Sequence, residues 1–378
     1  MQEILMPSAI VQENDASYNA RVIRNKARPG SYGDTAVFRN LDNKRNIVIG
    51  REALHSGVPV RITGPDKYSE GVLDNMVLGT LLKMLPDGHR NIMVSCGHTT
   101  NAVPYLEKMD AILNKKHHVQ RHDGKEITYN IRGFAGWDEP AGGLIRHFHR
   151  NYVEDDMTPG KLVVVVDIGG RVSSMYPAEV LENDIQIYWN DGRPFPVGIQ
   201  TIFEVLDQEF RSLYPDVFST RSIPENLFEE SLKNVQVIGG ETHYFTKVKG
   251  KPFDVTQAVL NATNPILMQI ENVWVNNLNS GIDADSVVVT GGGGGRLFDM
   301  IKREAVHHDF VYRAEEPDQM HWANLRGGAY GTNVKVCQNI EQYILKSKTG
   351  NVEPVVLDID PGNTNIKAQL FEVKDLRI

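Results

Sequence analysis

Four stretches of this chain combine residue types that can act on phosphate. Asp360-Pro361-Gly362-Asn363-Thr364-Asn365-Ile366-Lys367 joins an apolar run to Ala368-Gln369-Leu370-Phe371. A hairpin turn of small polar residues can point backbone N–H groups, with the Asn363 and Thr364 side chains, at an anion. Asp360 could hold a magnesium-bound water, because Mg²⁺ keeps several waters and takes few protein ligands. Lys367 could reach back as a point charge. A plain surface hairpin, with Asp, Pro, Gly and Asn as turn formers, fits the same letters. Asp167-Ile168-Gly169-Gly170-Arg171-Val172-Ser173-Ser174 repeats the design: strand, acid, glycines, then hydroxyls. Two such hairpins facing each other would clamp a polyphosphate and its metal from both sides.

The third stretch is Thr290 followed by Gly291, Gly292, Gly293, Gly294 and Gly295, between a strand and a helix. Glycines there let a nucleotide lie against the backbone, and a helix start favours anions. Five glycines in a merely flexible loop would carry a large entropy cost. Neither the GxGxxG dinucleotide spacing nor the GxxxxGK[ST] phosphate loop is present. The fourth is Trp137-Asp138-Glu139-Pro140-Ala141-Gly142-Gly143-Leu144. Glu139 at a helix start could orient an attacking water, or simply serve as a first-turn acid. His117-His118, His147, His149 and His307-His308 lack a partner at metal-ligand spacing and read as surface or packed residues. Arg146, His147, His149 and Arg150 read as a solvated basic helix face.

Elements that would position these residues are visible as periodicity. Val-rich runs at residues 162–166, 287–289 and 355–357 each end in an acid or threonine and then glycine, the pattern of buried strands that deliver a loop. Residues 92–96 resemble them. Helical spacing of apolar residues marks 68–84, 198–213, 265–278 and 297–304, with a further helix near 145–151. Alternating strands and helices indicate an α/β fold. A hairpin is expected over residues 117–133, around Asp123-Gly124. Residues 214–254 are polar with turn signals and read as an inserted subdomain; residues 346–354 read as a linker.

With 378 residues the chain allows two or three domains. Its net charge of −8 argues against direct contact with nucleic acid, which needs a basic surface. Two cysteines, Cys96 and Cys337, exclude a disulfide framework and any CxxC site. Apolar runs stay far below the ~20 residues of a membrane span. No signal-peptide layout opens the sequence, and a soluble, cytoplasmic protein is expected.

Together the motifs resemble the nucleotide-binding signatures of the actin superfamily, which includes bacterial ParM-type and MreB actins, DnaK-type chaperones and sugar kinases. Residues 360–367 look like its phosphate 1 hairpin, in the ParM form, and Asp167-Ile168-Gly169-Gly170 looks like phosphate 2. Residues 289–293 look like the adenosine motif. Glu139-Pro140 looks like connect 1, and residues 323–331 look like connect 2. Gly198, opening a helix, also fits. Ser174 departs from the Asp of many ParM-type members. The motif order departs too: phosphate 1 ends the chain instead of opening it, as in a circular permutation. Gln2-Glu3-Ile4-Leu5-Met6-Pro7-Ser8-Ala9 then looks like the strand that normally follows phosphate 1.

The resemblance implies an actin-like (RNase H-like) two-domain ATPase fold, circularly permuted. Domain I is expected at residues 1–158 plus 332–378, with its phosphate 1 hairpin at 354–373, and domain II at 159–331. It implies ATP/ADP and Mg²⁺ between the domains. Amides of Gly362, Asn363, Thr364 and Asn365, and of Gly169, Gly170 and Arg171, would hold phosphates, with Lys367. Asp360 and Asp167 would hold Mg²⁺ through water, Glu139 would position the attacking water, and Gly291, Gly292, Gly293 and Gly294 would border the purine. The implied partners are the chain itself, in filaments, and a DNA-binding adaptor protein for plasmid segregation. A nonpolymerising ATPase, a small-molecule kinase of the same superfamily and a scaffold that binds nucleotide without turnover are the alternatives.

Overall fold

The computed structural model describes residues 2–27, 34–54, 60–61, 67–98, 104–150, 158–182, 185–218, 223, 225–248, 250–276, 284–304, 310–338, 354–362 and 365–372. In chain order the first elements are β1 (Gln2–Pro7), β2 (Ala9–Glu13), α1 (Asp15–Ala27), β3 (Thr35–Asn40), β4 (Arg45–Gly50), α2 (Arg51–Leu54), β5 (Val60–Arg61) and α3 (Leu73–Met84). Then come β6 (His89–His98), α4 (Leu106–Leu113), β7 (Lys116–Arg121), β8 (Glu126–Asp138), α5 (Glu139–Arg150), β9 (Leu162–Ile168), β10 (Ser173–Val180), β11 (Ile185–Ile187) and β12 (Arg193–Phe195). After them lie α6 (Ile199–Leu213), α7 (Glu225–Lys233), β13 (Val235–Ile238), β14 (Glu241–Val248), β15 (Lys251–Asp254) and α8 (Thr256–Asn276). The last are β16 (Ser286–Thr290), α9 (Gly291–Glu304), β17 (Val311–Arg313), α10 (Ala323–Gln338), β18 (Val355–Pro361) and β19 (Asn365–Glu372).

Two units form, residues 1–142 with 328–378, and residues 143–327. The first holds a ten-stranded sheet in the order β1-β19-β18-β6-β8-β7-β3-β4-β2-β5. Val355, Leu357 and Ile359 on one face of β18 join a core with Met76, Val77 and Leu81 of α3. α3 forms because its apolar residues recur at helical spacing, and the Gly71 N–H donates to the first-turn acid Asp74 at 2.7 Å. Gly79 lets this helix press on the sheet, since a Cβ there would lie 2.7 Å from Ile49.

The second unit holds a sheet in the order β11-β10-β9-β16-β17. A three-stranded meander, β13-β14-β15, occupies the expected insertion. It is not detached, because Phe218, Phe228, Leu232 and Tyr244 share one core with β9 and β16.

The sheets share a pairing pattern. In the second unit β9 pairs antiparallel with β10, which pairs antiparallel with β11; on its other side β9 runs parallel to β16, itself parallel to β17. In the first unit β18 stands where β9 stands. It is antiparallel to β19, β19 is antiparallel to β1, and the parallel neighbours are β6 and β8. Only the order along the chain differs: the central hairpin of the first unit comes last, and β1 supplies its third strand.

Three local expectations are corrected. α8 starts at Thr256, not at Pro265, because Asp254 Oδ1 accepts from the Thr256 N–H at 2.9 Å and caps the helix upstream. α9 starts at Gly291, so the glycine run is itself helical. Arg146 and Arg150 do not form a solvated face. Arg146 Nε and Nη2 lie 2.7 and 2.6 Å from Glu315 Oε2, Arg150 Nη1 lies 3.1 Å from Oε1, and Arg326 Nη1 lies 3.2 Å from Oε2. His147 is buried, with Nδ1 3.1 Å from the Arg313 carbonyl oxygen. These pairings draw most of α5 and the start of α10 into the second unit. The division between the two units falls at 142/143 and 327/328, inside α5 and α10. Of the linker expected at 346–354, all but Pro354 lies outside the described residues.

Burial alone would raise the Glu315 carboxyl, but the Arg146 hydrogen bond, the Glu316 N–H and the Arg146 and Arg150 charges hold it below its usual range. Its contribution is therefore complete above the unfolded value of about 4.3 and lost as pH falls through the lower folded value. Glu315→Gln is expected to lower stability to urea by about 1.5–3 kcal/mol at pH 7, with the gap from wild type closing below about pH 4.

Candidate functional site

In the first unit the carboxyl ends of β18, β6 and β8 carry the charged groups. Asp360, next to last in β18, is 2% exposed. Lys367 faces it across the hairpin and its Nζ donates to Asp360 Oδ2. The other oxygen, Oδ1, is buried with no hydrogen-bond partner among the described residues. Lys367 thus pairs with Asp360. Ser8 Oγ donates to the Gly362 carbonyl, anchoring the turn. Asn365 opens β19, whereas Asn363 and Thr364 lie outside the described residues.

β8 ends at Asp138, and Glu139 begins α5 immediately after it. Asp138 Oδ1 lies 3.4 Å from Nδ1 of the buried His98, its register partner on β6. Burial raises the Asp138 carboxyl, His98 opposes this, and Glu139 adds to it. Glu139 Oε1 accepts from Lys67 Nζ at 3.3 Å. The Lys67 side chain is 3% exposed and its ammonium lies 4.9 Å from the centre of the Tyr68 ring. Burial alone would lower the Lys67 pKa, but Glu139, then Tyr68 and Asp360, outweigh it and hold the ammonium above the usual lysine value.

In the second unit Asp167 ends the same kind of strand and is 7% exposed. Asn324 Nδ2 donates to its Oδ2 at 3.1 Å, and Thr290 Oγ1 donates to Asn324 Oδ1 at 2.7 Å. The turn after Asp167 is closed by the Gly169 N–H, which donates to the Val172 carbonyl at 3.1 Å. The first amides of α6 grip this turn from outside. Ile199 N–H donates to the Gly169 carbonyl at 3.1 Å and Gln200 N–H to the Gly170 carbonyl at 2.8 Å. Gly198 is required by that approach, since a Cβ there would lie 2.6 Å from the Gly170 carbonyl carbon. Arg171 at the tip is exposed.

The glycine run divides by face. Gly291 has φ +83, and a Cβ on it would collide with Asp167 Oδ1. A Cβ on Gly293 would lie 2.6 Å from the Ile168 side chain, and one on Gly295 would strike the Pro317 carbonyl. Gly294 is buried beside Val289, whereas Gly292 is exposed at the start of the helix. Three of the five glycines thus let α9 pack on neighbouring chain, and Gly292 leaves helix backbone open. Gly143 of α5 also packs on Thr290, where a Cβ would lie 2.5 Å from its hydroxyl.

Two residues escaped the sequence reading. Lys67 has no strand-and-glycine signature around it, and only the folded chain brings it to Glu139. Asn324 lay inside a quoted motif but gained a role only through Asp167 and Thr290. Among the described residues no group of three or more His, Cys, Asp or Glu side chains is placed to hold a metal ion. No helix among the described residues is long and apolar enough to cross a membrane.

No known protein family profile and no curated protein matches the sequence. Solved structures do match. An archaeal actin homolog superposes with a TM-score of 0.64 at 16% identity, covering 87% of this chain and 92% of that one. This chain has the actin-like fold. The archaeal homolog in complex with ADP gives a TM-score of 0.61 at 15% identity, with the same coverage. Bacillus thuringiensis ParM with ATP gives 0.55 at 12% identity, covering 87% and 91%. A 15-stranded ParM filament from Clostridium botulinum gives 0.57 at 13% identity, covering 86% and 92%.

Asn324→Ala removes both hydrogen bonds that tie Asp167 to Thr290. It is expected to cost about 1–3 kcal/mol in urea unfolding.

Proposed function

We propose that the chain is an actin-like ATPase that binds ATP with magnesium, hydrolyses it and assembles into nucleotide-dependent filaments. The observation that carries this is the repeated acid: Asp360 and Asp167 each stand next to last in the strand that joins the antiparallel and parallel parts of its sheet, and each precedes a glycine-containing turn. A buried carboxylate oxygen without a partner among the described residues, Asp360 Oδ1, suits a cation's bound water. When bound, magnesium would neutralise charge on the β- and γ-phosphates.

The chain's own groups would do the rest. Amides of residues 362–365 and of Gly170 and Arg171 would face phosphate oxygens, the Gly169 N–H being taken by the Val172 carbonyl instead, and Lys367 would exchange part of its pairing with Asp360 for phosphate. Glu139 would accept a hydrogen bond from the attacking water and hold it in line. The exposed backbone at Gly292 would border the purine. The archaeal homolog with ADP and the ParM with ATP support the nucleotide, and the ParM filament supports self-assembly.

The chain order fits a circular permutation, supported by β1 lying beside β19 and by the Ser8 hydroxyl on the Gly362 carbonyl. Plasmid segregation through a DNA-binding adaptor suits a net charge of −8, which disfavours direct DNA contact.

Ultracentrifugation with Mg-ATP, Mg-ADP or no nucleotide, with phosphate release followed in the same tubes, tests this. Sedimentation is expected with Mg-ATP, and Glu139→Ala should slow phosphate release about 100-fold or more. Phosphate release without sedimentation at any protein concentration would move the assignment to a nonpolymerising ATPase or a kinase.

A further inference from the structure

We infer that Lys67 is the positioning residue for Glu139, an inference that rests on the ATPase reading above. An ammonium with a 3% exposed side chain is expensive to desolvate and persists only when paired. A residue that merely filled this space would be apolar. Lys67 instead places its charge 3.3 Å from Glu139 Oε1, with the Tyr68 ring 4.9 Å from the same nitrogen. The ring and the short contact fix where the ammonium sits.

Lys367 pairs with Asp360 across the hairpin, and Lys67 pairs with Glu139. Glu139 stands in the first turn of α5 on a side chain with three rotatable bonds, so its carboxylate needs a partner to fix it. Lys67 removes that freedom by engaging Oε1, and leaves Oε2 as the acceptor for water. Small displacements of such a group are costly to rate, because catalysis depends on near-attack geometry. Lys67 acts here through Glu139 and not on the nucleotide itself.

The full chain and its Lys67→Met, Lys67→Arg, Glu139→Gln and doubly substituted Lys67→Met/Glu139→Gln variants would be compared. The readouts are kcat and KM for ATP, the dissociation constant of a fluorescent ADP analogue, and the melting temperature. Lys67→Met is expected to lower kcat at least ~10-fold while KM and the ADP constant stay within about twofold. Lys67→Arg keeps the charge and the fold, and gives an intermediate kcat at unchanged KM, so the test survives if Lys67→Met does not fold. In the Glu139→Gln background Lys67→Met should have no further effect on kcat. Three results would overturn the inference alone: wild-type kcat in Lys67→Met, an equal fractional loss in the Glu139→Gln background, or a loss carried by KM and the ADP constant. Absence of hydrolysis by the wild-type chain would overturn the ATPase reading and this inference together.

Discussion

A carboxylate buried at the carboxyl end of a central strand is the constraint around which each unit is arranged. Burying such a charge is unfavourable unless hydrogen bonds or a counter-charge offset it. The two units meet the requirement differently. Asp360 takes an ammonium from the neighbouring strand, through Lys367. Asp167 takes an amide from Asn324, which is itself held by the Thr290 hydroxyl. Close approach of the chain then becomes a necessity at Gly291, whose Cβ would strike the Asp167 carboxylate, and at Gly198, where α6 delivers two amides to the turn.

What was legible in the sequence was local. Val-rich runs ending in glycine announced β9, β16 and β18, because a strand buried on both faces needs apolar residues throughout. The acids Asp167 and Asp360 stood out because they terminate such runs, and Glu139 because it opens a helix with small residues behind it. Less legible were the features that depend on distant partners. Lys67 sits 72 positions from Glu139, and Arg146 sits 169 positions from Glu315. Periodicity carries no information about such pairs. The start of α8 was misread because proline is favoured at a helix start; here Pro265 lies inside the helix and Asp254 supplies the cap.

The two sheets also show that one pairing pattern can be built from two different chain orders. Pairing in a sheet is satisfied by neighbours in space, whatever their order in sequence. β1 completes the first unit's hairpin by lying antiparallel to β19 over residues 2–7. The second unit achieves the same arrangement with strands in simple succession. Physical equivalence of the two halves thus survives a different point of entry for the chain.

Calorimetric titration of the full chain with ATP, with magnesium or with chelator, tests most directly the claim that the two buried acids serve a magnesium nucleotide. Tight binding is predicted only with magnesium, weakened at least ~10-fold, or about 1.4 kcal/mol, by either Asp167→Asn or Asp360→Asn. Absence of binding, or affinity unchanged in both variants, would contradict it.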